Sequence, residues 1–307
     1  QERVARVRAV VRDSVASHLR SDVPTCCLLS GGLDSAIVTR VASETHLGLR
    51  TYCAGAKNET DIGGVPQSED FLFATEVARA LGTHHTEAVV DEATFRGRWR
   101  EMVGRQGVPL STPNEIAINE VARRLRADGC VVTLSGEGAD ELFGGYHQVL
   151  APALAQVASG DAEPGLFHLA VGSWCRVEAK PGVLTPDAWL AAEGDAWLTE
   201  WYQSEFASVS RGHDPMADHL GFQRRVNLAG LLQRLDSATM LESVEGRTPF
   251  ADIAVASVAE SLPMEDRFVA PDRTKIALRE AFAADLPASV ARRPKASFPL
   301  PFQRWMG

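Results

Sequence analysis

Apolar residues in the opening segment, "QERVARVRAVVRDSVASHLR", fall at Val4, Val7, Val11, Val15 and Leu19. That spacing of three or four is the period of an amphipathic helix, here with arginines on its outer face. "SDVP" interrupts the pattern, and "TCCLL" follows as an apolar run of the length of a buried strand. Helical spacing resumes from Ala36 to about His46, with Asp34 or Ser35 placed to cap it. The alternation then continues with a strand in "LRTYCAGA" and a helix in "SEDFLFATEVARALG", closed by Gly82. A strand in "HHTEAVV", helices in "EATFRGRWREMVGR" and "NEIAINEVARRLRADG", and a strand in "CVVTL" complete the first half. Strands alternating with helices predict βαβ units and a parallel sheet, an α/β fold. From about Ala151 helical spacing dominates, and Trp174, Trp189, Trp197, Trp201 and Trp305 are expected as packing anchors of a largely helical second half.

Composition narrows the classes without choosing among them. The 307 residues are 45% hydrophobic and 23% charged, as in ordinary globular proteins, and the net charge of −9 argues against a broad DNA- or RNA-binding face. The five cysteines (Cys26, Cys27, Cys53, Cys130, Cys175) are odd in number and form no C-x-x-C. They read as reduced thiols, most of them buried, in a cytoplasmic protein. No apolar run is long enough to span a bilayer. His84 and His85 are adjacent on a predicted strand, so they point to opposite faces and are read as structural rather than as ligands of one ion. Asn58-Glu59-Thr60 is read as a chance match to a glycosylation pattern.

Chemistry concentrates in two turns at predicted strand ends, where ligands of open α/β sheets bind. In "LLSGGLDSA" the strand stops at two glycines and a helix begins at once, so consecutive backbone N–H groups meet at a helix N-terminus, a setting for phosphate. Ser30 and Ser35 add hydroxyls. No lysine lies inside the turn, which excludes a Walker A loop. Asp34 would repel phosphate unless Mg²⁺ stood between them. The second turn, "TLSGEGADELFGGYHQ", repeats the logic with Glu137, Asp140 and Glu141, and Asp140 is placed to be a second magnesium ligand opposite Asp34.

"LRSDVPTCCLLSGGLDSA" and "LSGEGADELFGGY", together with "LLQRLDSATMLESVEGRTPFAD" and "KIALREAF…LPASVARRPKASFPLPFQRW", resemble the synthetase half of glutamine-dependent asparagine synthetases. The resemblance runs from about Val4 to Trp305. It implies a parallel-sheet PP-loop ATP pyrophosphatase fold (adenine nucleotide alpha-hydrolase-like), with residues 1–150 as nucleotide-binding core and 151–307 as a mostly helical part. It also implies ATP and Mg²⁺, and a carboxylate that is adenylated with release of pyrophosphate and then captured by ammonia or an amine. Leu29, Ser30, Gly31, Gly32, Leu33, Asp34, Ser35, Ser135 and Gly136 would hold ATP and pyrophosphate, with Asp34 and Asp140 on the metal. Lys275 and Lys295 match the family's two lysines and would balance charge on the leaving group. Glu137 would accept a proton or guide the nitrogen, and Asp236 and Glu245 match family acids that position substrate or support the site.

Two departures qualify this picture. The family's glutaminase domain carries a cysteine at its extreme N-terminus, whereas the first cysteine here is Cys26 inside a strand, so no glutaminase domain is expected within these residues. A separate glutaminase domain or chain, free ammonia, or another amine would supply nitrogen. The chain opens on Gln1 rather than Met, which fits removal or separate processing of an upstream domain. "GVPLSTPNE" has Gly107-Val108 where the family tends to carry an acidic pair near its acceptor pocket, which leaves the carboxylate open. Asparagine formation is the default, and specialised amide, lactam or macrolactam synthesis the alternative. The lactam-forming branch usually alters the second acidic motif, and "SGEGADE" has the ordinary form. A tRNA-modifying PP-loop enzyme would call for a basic surface or paired cysteines. A nucleotide-binding partner domain without activity would not call for Asp34, Asp140, Lys275 and Lys295 together. No nucleic-acid or membrane partner is expected, and a homo-oligomer is left open.

Overall fold

Five strands pair in the order β3-β2-β1-β4-β5, all parallel. They are β1 (Thr25–Leu28), β2 (Arg50–Ala56), β3 (His84–Val90), β4 (Val132–Leu134) and β5 (Glu245–Arg247). The computed structural model describes residues 1–56, 69–160, 163–173, 175–212, 214–295 and 300–306. The Asn58–Thr60 pattern and Trp174 lie outside these residues. Register is set by Cys27↔Thr51 between β1 and β2, Cys26↔Thr133 between β1 and β4, and Leu134↔Arg247 between β4 and β5. The chain runs outward from β1 through β2 to β3, then returns to add β4 on the other side of β1. The carboxyl ends of β1 and β4 therefore flank a topological switch point, where a crevice opens in doubly wound sheets.

Two compact units make up the chain. The first comprises Gln1–Ala139, Gly230–Leu262 and Ala277–Gly307, and holds the whole five-stranded sheet. Its helices α1 (Glu2–His18), α2 (Leu33–Ser43), α3 (Glu69–Leu81), α4 (Glu92–Gln106) and α5 (Asn114–Ala127) follow the periodicity of the sequence. Cys26, Tyr52, Val90, Phe95, Met102, Ile116, Leu125, Val244 and Trp305 share one buried core. Trp305 and Trp99 both pack on Phe95, at ring separations of 5.2 and 5.5 Å. His85 accepts or donates at Nδ1 to Thr51 Oγ1 (3.0 Å) while its neighbour His84 is exposed, so the two histidines do point to opposite faces. Burial lowers the pKa of His85. All five cysteines are free, four of them buried, and burial pushes the Cys27 thiol up to about 12.

The second unit, Asp140–Ala229 and Pro263–Ile276, is helical apart from a two-stranded ribbon, Phe268–Val269 with Arg273–Thr274. Its apolar centre joins Leu150, Ala153, Met216 and Phe268. Trp197 is not the expected anchor: it is 71% exposed and stacks on Trp201 at 6.3 Å. No helix among the described residues is long and apolar enough to cross a membrane.

A buried polar chain crosses this unit. The Gln223 amide donates to His168 Nδ1 (3.2 Å), so His168 carries its proton on Nε2 and donates to His219 Nδ1 (2.9 Å). His219 Nε2 then donates to Gln156 Oε1 (3.0 Å). Each ring nitrogen has one role, which only neutral imidazoles satisfy. Burial accordingly pushes the two histidines down, to about 3 for His168 and about 4 for His219. The unfolded chain takes up protons near pH 6.5 that the folded unit refuses, so stability falls as pH drops from about 6.5 towards 4. The slope should reach about 1.4 kcal/mol per pH unit for each histidine. Urea unfolding at pH 7, 6 and 5 measures it, and His168→Gln should flatten the acid limb.

Candidate active site

β1 continues its pairing for one residue, Leu29 N–H donating to Tyr52 O (2.7 Å), before the chain turns at Ser30. Gly31 has φ +68°, and a Cβ there would lie 2.5 Å from both Phe73 Cβ and Ala74 N. The loop is thus seated against the backbone of α3, and only glycine fits. Gly32 is the N-cap of α2, in extended conformation, and no side chain caps the helix. Asp34 and Ser35 do not cap it as the sequence suggested; they sit in its first turn. Ser35 is used differently: its Oγ donates to Gly32 O (3.2 Å), accepts from Ser30 N–H (3.2 Å) and lies 3.1 Å from Ser30 Oγ. This knot rigidifies the turn at the N-terminus of α2, a setting that suits an anion.

The second turn is built onto the first. Ser135 N–H donates to Arg247 O on β5 (2.8 Å), and Glu137 N–H donates to Ser135 Oγ (3.4 Å). A Cβ on Gly136 would meet Ser35 N at 2.8 Å and Asp34 Cβ at 2.9 Å. The two Ser-Gly motifs, 105 residues apart in sequence, are therefore in direct contact at the switch point. Glu137 Oε1 accepts from Arg234 Nη2 (3.0 Å). The sequence reading missed Arg234; its only signal was its place two residues before Asp236 in the same matching segment. Asp236 itself is exposed on the helix Ala229–Met240. Glu245 opens β5, exposed, with its Oε1 taking Arg247 Nε (2.8 Å), so its geometry ties it to the edge strand rather than to the two turns. That ion pair holds the pKa of Glu245 below its usual value.

Other predicted residues lie in the second unit. Asp140 and Lys275 are both buried and form an ion pair, Nζ to Oδ1 2.6 Å. Lys275 has φ +53°, a left-handed conformation rare for a side chain of its kind, held between the ribbon strand Arg273–Thr274 and the helix Ile276–Phe282. Gly145 makes the pair fit: a Cβ there would collide with Asp140 Oδ1 and lie 2.5 Å from Lys275 Cε. Glu141, next in chain, accepts from the Tyr146 hydroxyl (2.6 Å).

Magnesium fits the type of donor each unit offers. Asp34 and Glu137 in the first unit, and Asp140 and Glu141 in the second, present only carboxylate oxygens, the ligands of a hard cation. Among the described residues no three His, Cys, Asp or Glu form a ready-made metal cluster. An ion held by one or two carboxylates and completed by phosphate oxygens needs none. Lys295 stands half-buried in the first unit, two residues after Arg293. Gly107 has a local reason to replace an acid: it closes α4 in the left-handed region (φ 71°).

A parallel sheet whose switch point carries two abutting Ser-Gly turns defines an α/β protein of the PP-loop, adenine nucleotide alpha-hydrolase-like class. The asparagine synthase family model matches residues 6–307, and the chain belongs to that family. It is 32% identical to a Mycobacterium tuberculosis protein provisionally named a glutamine-hydrolyzing asparagine synthetase, over 100% of this chain and 49% of that protein. It is 29% identical to glutamine-hydrolyzing asparagine synthetase 1 of Bacillus subtilis, over 99% of this chain and 50% of the relative. The chain thus spans about half the length of the curated relatives it matches. A solved structure of the U34-tRNA thiolase NcsA from Methanococcus maripaludis with its 4Fe-4S cluster is 13% identical, with TM-score 0.30, over 73% of this chain and 78% of that one. That likeness is too distant to bear on function.

Proposed function

We propose that this chain is an ATP-dependent amide synthetase: it adenylates a carboxylate, releases pyrophosphate, and transfers nitrogen to the acyl group. The observation that carries the reading is the contact of Gly136 with Asp34 and Ser35, which joins two phosphate-suited turns at the switch point of the sheet. In the first step a carboxylate oxygen attacks the α-phosphorus of ATP and the bond to the α–β bridging oxygen breaks. Backbone amides from Gly31 to Ser35, with the hydroxyls of Ser30 and Ser35, are the donors for the departing pyrophosphate. Lys275 and Lys295 supply fixed positive charge to it. Asp34, in the same turn, would hold magnesium, which when bound would supply charge neutralisation at the phosphate oxygens. In the second step the nitrogen attacks the acyl carbon, the bond to the AMP oxygen breaks, and Glu137 takes the proton released from nitrogen. Arg234 keeps one oxygen of Glu137 in place for that transfer.

Aspartate with ammonia, giving asparagine, is the first substrate pair to test. Gly107-Val108, where the family tends to be acidic, favours a second reading in which the same adenylation serves a specialised amide or lactam. Incubation with ATP, Mg²⁺, ammonium and a panel of carboxylates should give AMP and pyrophosphate in equal amounts with one acid, and none after chelation of Mg²⁺. ADP and phosphate instead would reject the mechanism.

A further inference from the structure

Arg293 is buried beneath the segment that carries Lys295, and its surroundings are specific. Its Nη2 donates to Asp70 Oδ1 (2.8 Å), and both side chains are at least nine-tenths buried. Its guanidinium lies 4.1 Å above the ring of Phe73. Its backbone carbonyl accepts from Arg279 Nη2 (2.9 Å), and Arg279 Nη1 donates to Ala291 O (2.6 Å), so the stretch before Lys295 is held from two sides. Asp70 and Phe73 belong to the first turns of α3, the helix against which Gly31 packs. Burial raises the pKa of Asp70, and the charges of Arg293 and Lys295 oppose that rise. All of these residues lie in the first unit.

A buried guanidinium could be supplied more simply by an apolar side chain if packing were its whole purpose, since replacing buried ion pairs with apolar groups is often neutral or stabilising. What the pair adds is direction. One charge-assisted hydrogen bond to Asp70 and the ring of Phe73 beneath the guanidinium fix the position of Arg293 from two sides. Phe73 in turn touches the position of Gly31, so contacts run Arg293–Phe73–Gly31, and Lys295 follows two residues after Arg293 along the chain.

We propose that Arg293 and Asp70 form a positioning pair that sets Lys295 relative to the Ser30–Ser35 turn. This rests on the proposed adenylation chemistry. The pair does not touch ATP; it fixes where the Lys295 ammonium is delivered as charge develops on the leaving pyrophosphate.

The test compares Asp70→Asn and Arg293→Lys with the unaltered protein in two measurements. The first is pyrophosphate-forming kinetics with the active carboxylate. Turnover should fall about 10- to 100-fold, the scale of a misplaced reacting group, with the KM for ATP within about threefold. The second is hydrogen exchange of the peptide covering residues 288–295, which should quicken by about tenfold or more in both variants while peptides from β1 and α2 keep their protection. Turnover within twofold, or exchange quickened equally throughout the first unit, would overturn the proposal and leave the pair a plain element of packing. If the unaltered protein releases no pyrophosphate with any carboxylate, the functional reading fails by itself. Exchange then decides the positioning claim alone: local loss of protection at 288–295 supports it, and unchanged protection overturns it.

Discussion

Lys275→Met should lose pyrophosphate-forming turnover by roughly 100-fold or more, the scale for removing a preorganised donor to transition-state charge. It should also be less stable by about 3–5 kcal/mol, because it removes the ammonium from a buried carboxylate. The second effect comes from the structure: Lys275 and Asp140 are 3% and 8% exposed, and their ion pair spans 2.6 Å. The left-handed backbone at Lys275 costs methionine about as much as lysine, so it drops out of the comparison. The two effects separate in the double variant Lys275→Met/Asp140→Asn. Neutralising Asp140 should return most of the stability, while turnover stays low. Urea unfolding and a pyrophosphate assay on the same preparations check both. Recovery of turnover in the double variant would contradict both the catalytic role of Lys275 and the expected place of Asp140 on the metal.

Gly31→Ala should be the most damaging single methyl in the first unit. Alanine at φ +68° carries the left-handed penalty, and its Cβ would meet Phe73 Cβ and the Ala74 amide nitrogen at 2.5 Å. Part of the clash is with backbone, which cannot swing aside as a flexible side chain would. The combined cost is about 2–5 kcal/mol. Relief requires the turn to lift from α3, which moves the amides proposed as donors to the pyrophosphate. ATP affinity should therefore fall by about tenfold or more in protein that still folds. Gly97→Ala is the control, since nothing lies within 4 Å of its Cβ position. Equal ATP binding by Gly31→Ala and the control would remove this turn from the nucleotide site.

The first four strands and first five helices were legible because each carries a clear period. Parallel strands buried on both faces read as continuous apolar runs, as in "TCCLL" and "CVVTL". β5 was not legible: its residues are Glu-Gly-Arg, short and polar, and they join the sheet through backbone pairing to β4 and through Arg247, whose carbonyl meets Ser135. The two Ser-Gly turns were evident from glycine and acid placement, whereas their mutual contact was not, because it depends on β1 and β4 being neighbours. The residue type of Ser35 suggests a cap, but its hydroxyl turns back to Gly32 and Ser30. Arg234 and Arg293 escaped notice for one reason. An arginine carries no local signal of burial, and each acquires its partner, Glu137 or Asp70, only through long-range packing.

Adenylation is the central claim, and it fixes the path of one oxygen atom. With an oxygen-18-labelled carboxylate substrate, ATP, Mg²⁺ and the nitrogen donor, mass spectrometry of the products should find one labelled oxygen in AMP and unlabelled pyrophosphate. Label in inorganic phosphate alongside ADP, or AMP without label, would contradict an acyl-adenylate and with it the roles assigned to the two turns.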